Sequence, residues 1–432
     1  MSEAPIPFSS GSCEVPAPRG ADLPASVRLA RRLALRRLGA LREGALVLEE
    51  PGAGPQRFGA SEGDAVRVRV HDPALWTALA GGGLVGAAGS YARGEWDCED
   101  LAGLVRLFLR NPRTMDGVEG GVARLAALAR AGRHLLRRNH RAGARRNIAA
   151  HYDLGNDFFA AFLDPSMTYS CALFEREGLD LEAAQHAKYR RIVDKLRVGA
   201  GDHVLEIGSG WGGFAIHAAR TTGCRVTTTT ISRRQYEEAR ERVARAGLAD
   251  RVEVLFEDYR DLRGTYDKLV SIEMIEAVGA EYFDAYFRAC AARLAPHGAM
   301  ALQAITIADQ HYERARRSVD FIKRWIFPGG CLPSVEAMAR SVARTPDLRI
   351  VHLEDWTPHY PETLRRWRAR FRAARPSIRA MGYDPFLLRL WEFYLGYCEG
   401  GFEERHIGLV QLVLARGGGR VPAPRGRPGR AA

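Results

Sequence analysis

The stretch Val204-Leu-Glu-Ile-Gly-Ser-Gly-Trp-Gly-Gly213 follows a short apolar run and precedes a helix-like segment. Gly208, Gly210 and Gly213 satisfy a GxGxxG spacing, which permits a tight turn and close approach of a nucleotide to the backbone. Gly212 belongs to the same turn. A dinucleotide site of the usual kind also carries an acid about 20 residues further on, to hold the ribose hydroxyls. Here the next strand-like run ends Thr227-Thr-Thr-Thr-Ile-Ser232 without one, and the acid stands before the glycines, at Glu206. A second concentration of chemistry is Ser271-Ile-Glu-Met-Ile-Glu-Ala-Val-Gly279. Glu276 lies in this apolar stretch, where a carboxylate is costly unless paired or hydrogen-bonded. Glu273 is the alternative acid, and a plain helix-N-terminal acid is the bland reading. The cysteines, at 13, 98, 171, 224, 290, 331 and 398, show neither a CxxC pair nor zinc spacing. They predict reduced thiols, no metal site and a cytoplasmic setting.

These groups need a frame. From residue 181 the pattern alternates: helix 181–195, strand 203–207, helix 213–220, strand 225–231, helix 233–246, strand 252–256, strand 268–272, helix 282–294, strand 300–306. Such βαβα alternation predicts an α/β fold with a mostly parallel sheet and helices on both faces. Two late strand candidates, 348–353 and 407–414, suit an antiparallel edge. The glycine turn and Glu276 then fall at the carboxyl ends of strands, where ligands bind in such sheets. Upstream, residues 25–115 read as a small α+β unit, with helices at 26–38, 73–80 and 101–109, strands at 45–48 and 65–70, and a Gly turn at 81–83. It carries no catalytic constellation.

The expected organisation is a disordered segment 1–24, the α+β unit 25–115, a basic helical linker 116–150, a catalytic domain 151–416 and a disordered basic tail 417–432. The chain has 432 residues and a net charge of +12, with 63 Lys+Arg against 51 Asp+Glu. A basic surface attracts nucleic acid or anionic lipid. Residues 121–147 set leucines 125, 128, 135 and 136 among arginines, as either a membrane-surface helix or an interdomain linker would. That cluster lacks interleaved aromatics for base stacking, which argues against nucleic acid as a partner. No apolar run reaches the roughly 18–20 residues of a membrane-spanning helix, and the N-terminus has no secretory h-region.

The E-x-G-x-G order at 206–210 resembles the first motif of S-adenosylmethionine (SAM) methyltransferases. Six segments make the resemblance specific: His151–Phe159 (HYDLGNDFF), Tyr169–Phe174 (YSCALF), Val204–Gly213, Thr230–Gln235 (TISRRQ), Glu257–Leu262 (EDYRDL) and Ile326–Ser334 (IFPGGCLPS). Residues 151–416 resemble the cyclopropane-fatty-acyl-phospholipid synthase family, which includes mycolic acid methyltransferases. The resemblance implies a Rossmann-like SAM methyltransferase fold with a seven-stranded sheet. It implies that Tyr169 and Ser170 meet the methionine end of SAM, that Glu206 and the glycines lie beneath it, that Thr230 and Gln235 serve the ribose, and that Asp258 and Tyr259 flank the adenine.

The reaction so implied adds a methylene across a cis double bond of an acyl chain in a membrane phospholipid. The alkene attacks the SAM methyl, and a base, bicarbonate in the family, removes a proton so that the ring closes. The bicarbonate contacts map onto the Cys171 backbone, Glu276, Gln303, the Ile305 backbone and Tyr360. Cys398 matches a cysteine sometimes regarded as catalytic. Trp325, Phe327 and Pro328 are tunnel candidates. The expected setting is the inner face of the cell membrane, with anionic phospholipid as partner; a homodimer is left open. Two departures stand out: Ala277 and Gln303 occupy positions where family members commonly carry His. Gln binds an anion but takes no proton at neutral pH, so methylation without ring closure, to a methyl-branched or methylene product, is the alternative outcome. An NAD(P)-dependent oxidoreductase and an RNA-modifying protein are the competing classes.

Overall fold

The computed structural model describes residues 23–59, 63–115, 143–144 and 154–417. The basic stretch 116–150, apart from two residues, and His151–Asp153 of the first motif lie outside the described residues, as do 1–22 and 418–432 of the two termini.

The N-terminal unit runs α1 (Ala25–Leu38), β1 (Ala45–Glu49), β2 (Gln56–Gly59), β3 (Val66–Val70), α2 (Ala74–Ala92), β4 (Trp96–Cys98), α3 (Leu101–Arg110) and α4 (Pro112–Met115). Its sheet has the order β2-β1-β3-β4, with only β1 and β3 parallel. The expected turn at 81–83 is a kink inside α2: Gly83 adopts φ 57° and the helix continues to Ala92. A helix so apolar on all sides continues because it is packed by neighbours, which overrides the weak helix propensity of its glycines.

The catalytic region follows as α5 (Asn156–Ala160), α6 (Leu181–Leu196), β5 (His203–Ile207), α7 (Gly213–Thr222), β6 (Arg225–Thr230), α8 (Arg233–Arg245), β7 (Val252–Phe256), β8 (Tyr266–Ile272), α9 (Phe283–Arg293) and β9 (Leu294–Ile307). It closes with α10 (Asp309–Arg317), α11 (Val335–Ala343), β10 (Leu348–Asp355), α12 (Tyr360–Ala380), α13 (Pro385–Glu403) and β11 (Ile407–Arg416). The sheet order is β10-β11-β9-β8-β5-β6-β7. Strands β7, β6, β5, β8 and β9 are parallel. β11 is antiparallel to both neighbours and lies one strand in from the edge.

Alternation along β5 sends Leu205 and Ile207 into the core beneath α9 and α11, and Val204 into the core beneath α6 and α7. Both faces are covered, as a parallel sheet requires. A third, aromatic core joins Phe158, Phe159, Phe162, Trp367, Phe371 and Trp391 with residues of β1, α2 and α3. The N-terminal unit therefore shares a core with α12 and α13. Local signals set the helix starts: Asp180, Ser232 and Asp384 each accept a hydrogen bond from a backbone N–H of the following first turn.

Candidate active site

The carboxyl ends of β5, β6 and β8 border a cavity of roughly 1150 Å³, its open mouth included. Tyr169, Ser170, Glu206, Gly208, Gly210, Thr230, Gln235, Asp258 and Tyr259 all line it, and Gly212 does not. Gly212 (φ 86°) is instead the residue before α7, packed on Ala239 of α8, and Gly213 lines the cavity in its place. A Cβ on Gly210 would meet nothing within 4 Å, so it would project into space that a ligand needs; its φ of 48° is also one that L side chains resist.

Thr230 Oγ1 donates to Gln235 Oε1 at 2.9 Å, which leaves the Gln235 amide nitrogen as a donor at the cavity wall. The Asp258 carboxylate is taken up by Arg260, with contacts of 2.6 and 2.8 Å. Tyr259 stacks edge-on against Tyr286 and presents an apolar wall. Glu206 accepts from Thr228 Oγ1 at 2.6 Å, and burial pushes its carboxyl up to about 8.

Sequence reasoning missed Lys188. This fully buried lysine on α6 donates to Ser170 Oγ at 2.6 Å. Burial lowers its ammonium to about 8, against the opposing pull of Glu273 and Glu206. No periodic signal marks it, because its neighbours on the helix read as an ordinary amphipathic face.

At the second centre the structure gathers the expected donors around Glu273 rather than Glu276. Glu273 Oε1 accepts from the Cys171 backbone N–H at 2.9 Å and from Gln303 Nε2 at 2.7 Å, and Oε2 accepts from the Tyr360 hydroxyl at 2.5 Å. Three of the five contacts expected to hold bicarbonate thus converge on one protein carboxylate, which also borders the cavity. Glu276, buried nearby, shares none of these donors: Oε1 accepts from the Ile305 N–H at 2.5 Å and Oε2 has no partner among the described residues. The reason is backbone geometry. Glu273 is the first residue past β8 and adopts φ 49°, a left-handed conformation costly for a non-glycine residue. That twist swings its side chain toward Cys171 and Tyr360. The available signal was the strand end itself, since ligand-binding residues sit immediately past it.

Gln303 is oriented from behind. Gln411 Nε2 donates to Gln303 Oε1 at 3.1 Å, so the Gln303 amide nitrogen faces Glu273. Lys195 in turn donates to Gln411 Oε1 and pairs with Glu354 at 2.5 Å. Burial raises the Glu273 carboxyl above its ordinary range, and the donors Tyr360, Cys171 N–H and Gln303 pull it back. Burial and the neighbouring Glu273 push Glu276 up to about 8. Tyr360 is held by stacking on Phe402, with ring centroids 4.2 Å apart.

Cys398 does not join the group. It is buried in the aromatic core, and burial pushes its thiol far above the thiolate range. Cys171 meets Glu273 through its backbone N–H, and its thiol takes no part in that contact. Phe327 packs near Tyr394, whose hydroxyl meets that of Tyr169 at 3.1 Å. Trp325, in a π-helical turn at Ile322–Ile326, leans onto α2: a Cβ on Gly89 would come within 3.1 Å of its ring. Among the described residues no cluster of His, Cys, Asp or Glu could hold a metal ion, and no helix is long and apolar enough to cross a membrane.

The sheet order and the glycine turn at the end of β5 are those of a Rossmann-like SAM-dependent methyltransferase. The family model for mycolic acid cyclopropane synthetase matches residues 139–412. The chain is 40% identical to a tuberculostearic acid methyltransferase of Mycobacterium tuberculosis, over 93% of this chain and 94% of the relative. It is 37% identical to the cyclopropane-fatty-acyl-phospholipid synthase of Escherichia coli, over 81% of this chain and 88% of the relative. The crystal structure of the mycolic acid cyclopropane synthase CmaA1 complexed with SAH and CTAB superposes with a TM-score of 0.59 at 30% identity, covering 63% of this chain and 98% of that one. The chain belongs to the cyclopropane synthase family of SAM-dependent methyltransferases.

Proposed function

We propose that this chain transfers the methyl carbon of SAM to a cis double bond in an acyl chain of a membrane phospholipid, and that Glu273 removes the proton the resulting cation must lose. The observation that carries the reading is the Glu273 carboxylate gripped by Cys171 N–H, Gln303 and Tyr360 at the edge of the cavity. In this reading the protein's own carboxylate stands where the family resemblance puts bicarbonate.

Bound SAM supplies an electrophilic methyl group. Gly208 and Gly210 let it approach the backbone, and Gln235 and Thr230 meet the ribose. Tyr169 and Ser170, the latter held by Lys188, bound the methionine end. The alkene π pair forms the new C–C bond while the C–S bond breaks toward sulfur, leaving a cation on the second alkene carbon. Glu273 accepts a proton from the new methyl, and that C–H pair closes a cyclopropane. Glu273 suits the task because burial raises its basicity while its three donors fix its aim. Buried aromatic surroundings exclude the water that would quench the cation.

A second reading ends in an open methylene chain, if the cation migrates before the proton is lost. Gln303, which cannot exchange a proton, and the similarity to a tuberculostearic acid methyltransferase favour it. Peripheral contact with the cytoplasmic face of the membrane follows from the substrate in either case. The test is incubation of the pure protein with SAM and vesicles of unsaturated phospholipid, followed by mass spectrometry of the released fatty acids. Both products are one CH2 heavier than the substrate, so ozonolysis tells them apart: a product that resists cleavage supports the ring, cleavage at an exocyclic double bond supports the second reading, and no mass increase refutes both.

A further inference from the structure

A second cavity lies in the N-terminal unit, far poorer in polar groups than the first. It measures about 1010 Å³ with its open mouth and is walled by side chains such as Leu48, Trp76, Leu104, Phe108, Phe393 and Tyr397. A well-packed core holds no such space. The few polar groups at its wall include Arg37 and Thr114. Thr114 is 2% exposed, and its Oγ1 has no hydrogen-bond partner among the described residues. An orphaned buried hydroxyl in an apolar cavity fits a ligand that is a long hydrocarbon with one polar end.

Helix α1 supplies the reason to choose a membrane lipid. Ala34, Arg37 and Leu38 face the cavity. On its outer side Leu29 and Leu33 are 56% and 48% exposed, on the stripe that also carries the exposed Arg28, Arg32 and Arg36. Arg32 and Arg36 make no ion pair among the described residues. Exposed leucines bracketed by exposed arginines match the interface of an anionic bilayer, with the leucines entering the acyl region and the arginines meeting phosphates. The far wall of the cavity is α13. Its Phe393 and Tyr397 face the cavity, while Tyr394 on the same helix meets Tyr169 at the catalytic cavity. α13 therefore joins the N-terminal cavity to Tyr169 at the edge of the cavity assigned to SAM.

We propose that the N-terminal cavity binds one acyl chain of an anionic diacyl phospholipid, the chain that is not methylated, delivered across α1 from the bilayer. The proposal rests on the reading of the catalytic site given above. It assigns the N-terminal unit a role in taking a two-chain substrate from the membrane.

The test uses the full chain and two variants that fill the cavity from different walls, Ala34→Phe and Ala87→Phe, each checked for folding by circular dichroism and for SAM binding. The first readout is the number of cis-parinaric acid equivalents bound, by fluorescence titration. The wild type is expected to bind one equivalent more than either variant. The second is methyl transfer to vesicles of dioleoyl phosphatidylglycerol against micelles of oleoyl lysophosphatidylglycerol, which has a single chain. The variants should lose about tenfold or more on the diacyl lipid, because each excluded methylene removes a factor of about four in affinity. Turnover of the single-chain lipid should stay within about twofold, since it leaves the cavity unused. Unchanged parinarate binding in both folded variants overturns the proposal, and so does an equal loss on the two lipids. A wild type that binds the extra chain equivalent but methylates neither lipid supports the cavity assignment and overturns the catalytic reading instead.

Discussion

Glu273→Gln is the most direct challenge to the proposed base. The change keeps size and shape but removes the charge and the proton-accepting oxygen. The surroundings can absorb it. The new amide oxygen can accept from Cys171 N–H and Gln303 Nε2, and the new amide nitrogen can donate to the Tyr360 oxygen once that hydroxyl rotates. Folding and SAM affinity should therefore stay near wild type. Because burial disfavours the Glu273 charge, its removal carries no stability penalty of its own. The rate of methyl transfer should fall by about 10²–10⁴, the usual contribution of a positioned general base. The assay is transfer of labelled methyl from SAM to unsaturated phospholipid at saturating SAM. Glu273→Gly adds a second arm: glycine accepts φ 49° without strain and leaves a carboxylate-sized space among the same three donors. Millimolar bicarbonate should restore part of the activity of Glu273→Gly and none of that of Glu273→Gln, whose side chain still fills the space. A Glu273→Gln protein that turns over within about twofold of wild type would refute the assignment, because general-base contributions are far larger than that.

Gly210→Val should abolish SAM binding, measured by calorimetry, while unfolding stays cooperative; unchanged affinity would place the cofactor elsewhere. Glu276→Gln addresses pH. The buried Glu276 carboxyl is raised from 4.5 to about 8, so the stability of its protonated form is present below pH 4.5 and is lost as pH rises toward 8. Denaturant titrations should show the variant gaining on wild type by up to about 4 kcal/mol between pH 5 and 8, and an unchanged difference across that window would contradict the shift. Gln303→His should leave a ring-forming enzyme forming rings; if the wild-type product is cleaved by ozonolysis and the variant's resists it, then Gln303 sets the outcome.

The glycine turn was legible because its demand is local. Positive φ at Gly208 and Gly210 and the absence of side chains are properties of the residues themselves. The sheet was legible for a similar reason: short apolar runs alternating with helical periods admit few arrangements. The choice between Glu273 and Glu276 was not. Three residues apart in one apolar run, they look alike until the partners arrive, and those partners, Cys171 and Tyr360, lie 102 and 87 residues away from Glu273. Cys398 misled for the same reason. A cysteine in an aromatic stretch carries no mark of whether its helix turns it to the site or to the core.

The sequence by itself determined the class of chemistry. The acid before the glycine turn and the six motif segments resemble one family of SAM-dependent methyltransferases, and it is the family to which the chain belongs. Tertiary structure alone decided which carboxylate the Cys171, Gln303 and Tyr360 donors meet, that Gln303 faces it as a donor because Gln411 holds the other end of the amide, and that Lys188 stands behind Ser170. It also decided that α13 walls the N-terminal cavity while its Tyr394 meets Tyr169 at the edge of the other. The physical reason is that hydrogen-bond direction, burial and aim belong to groups brought together from distant parts of the chain. Backbone freedom and hydrophobic period belong to neighbours along it.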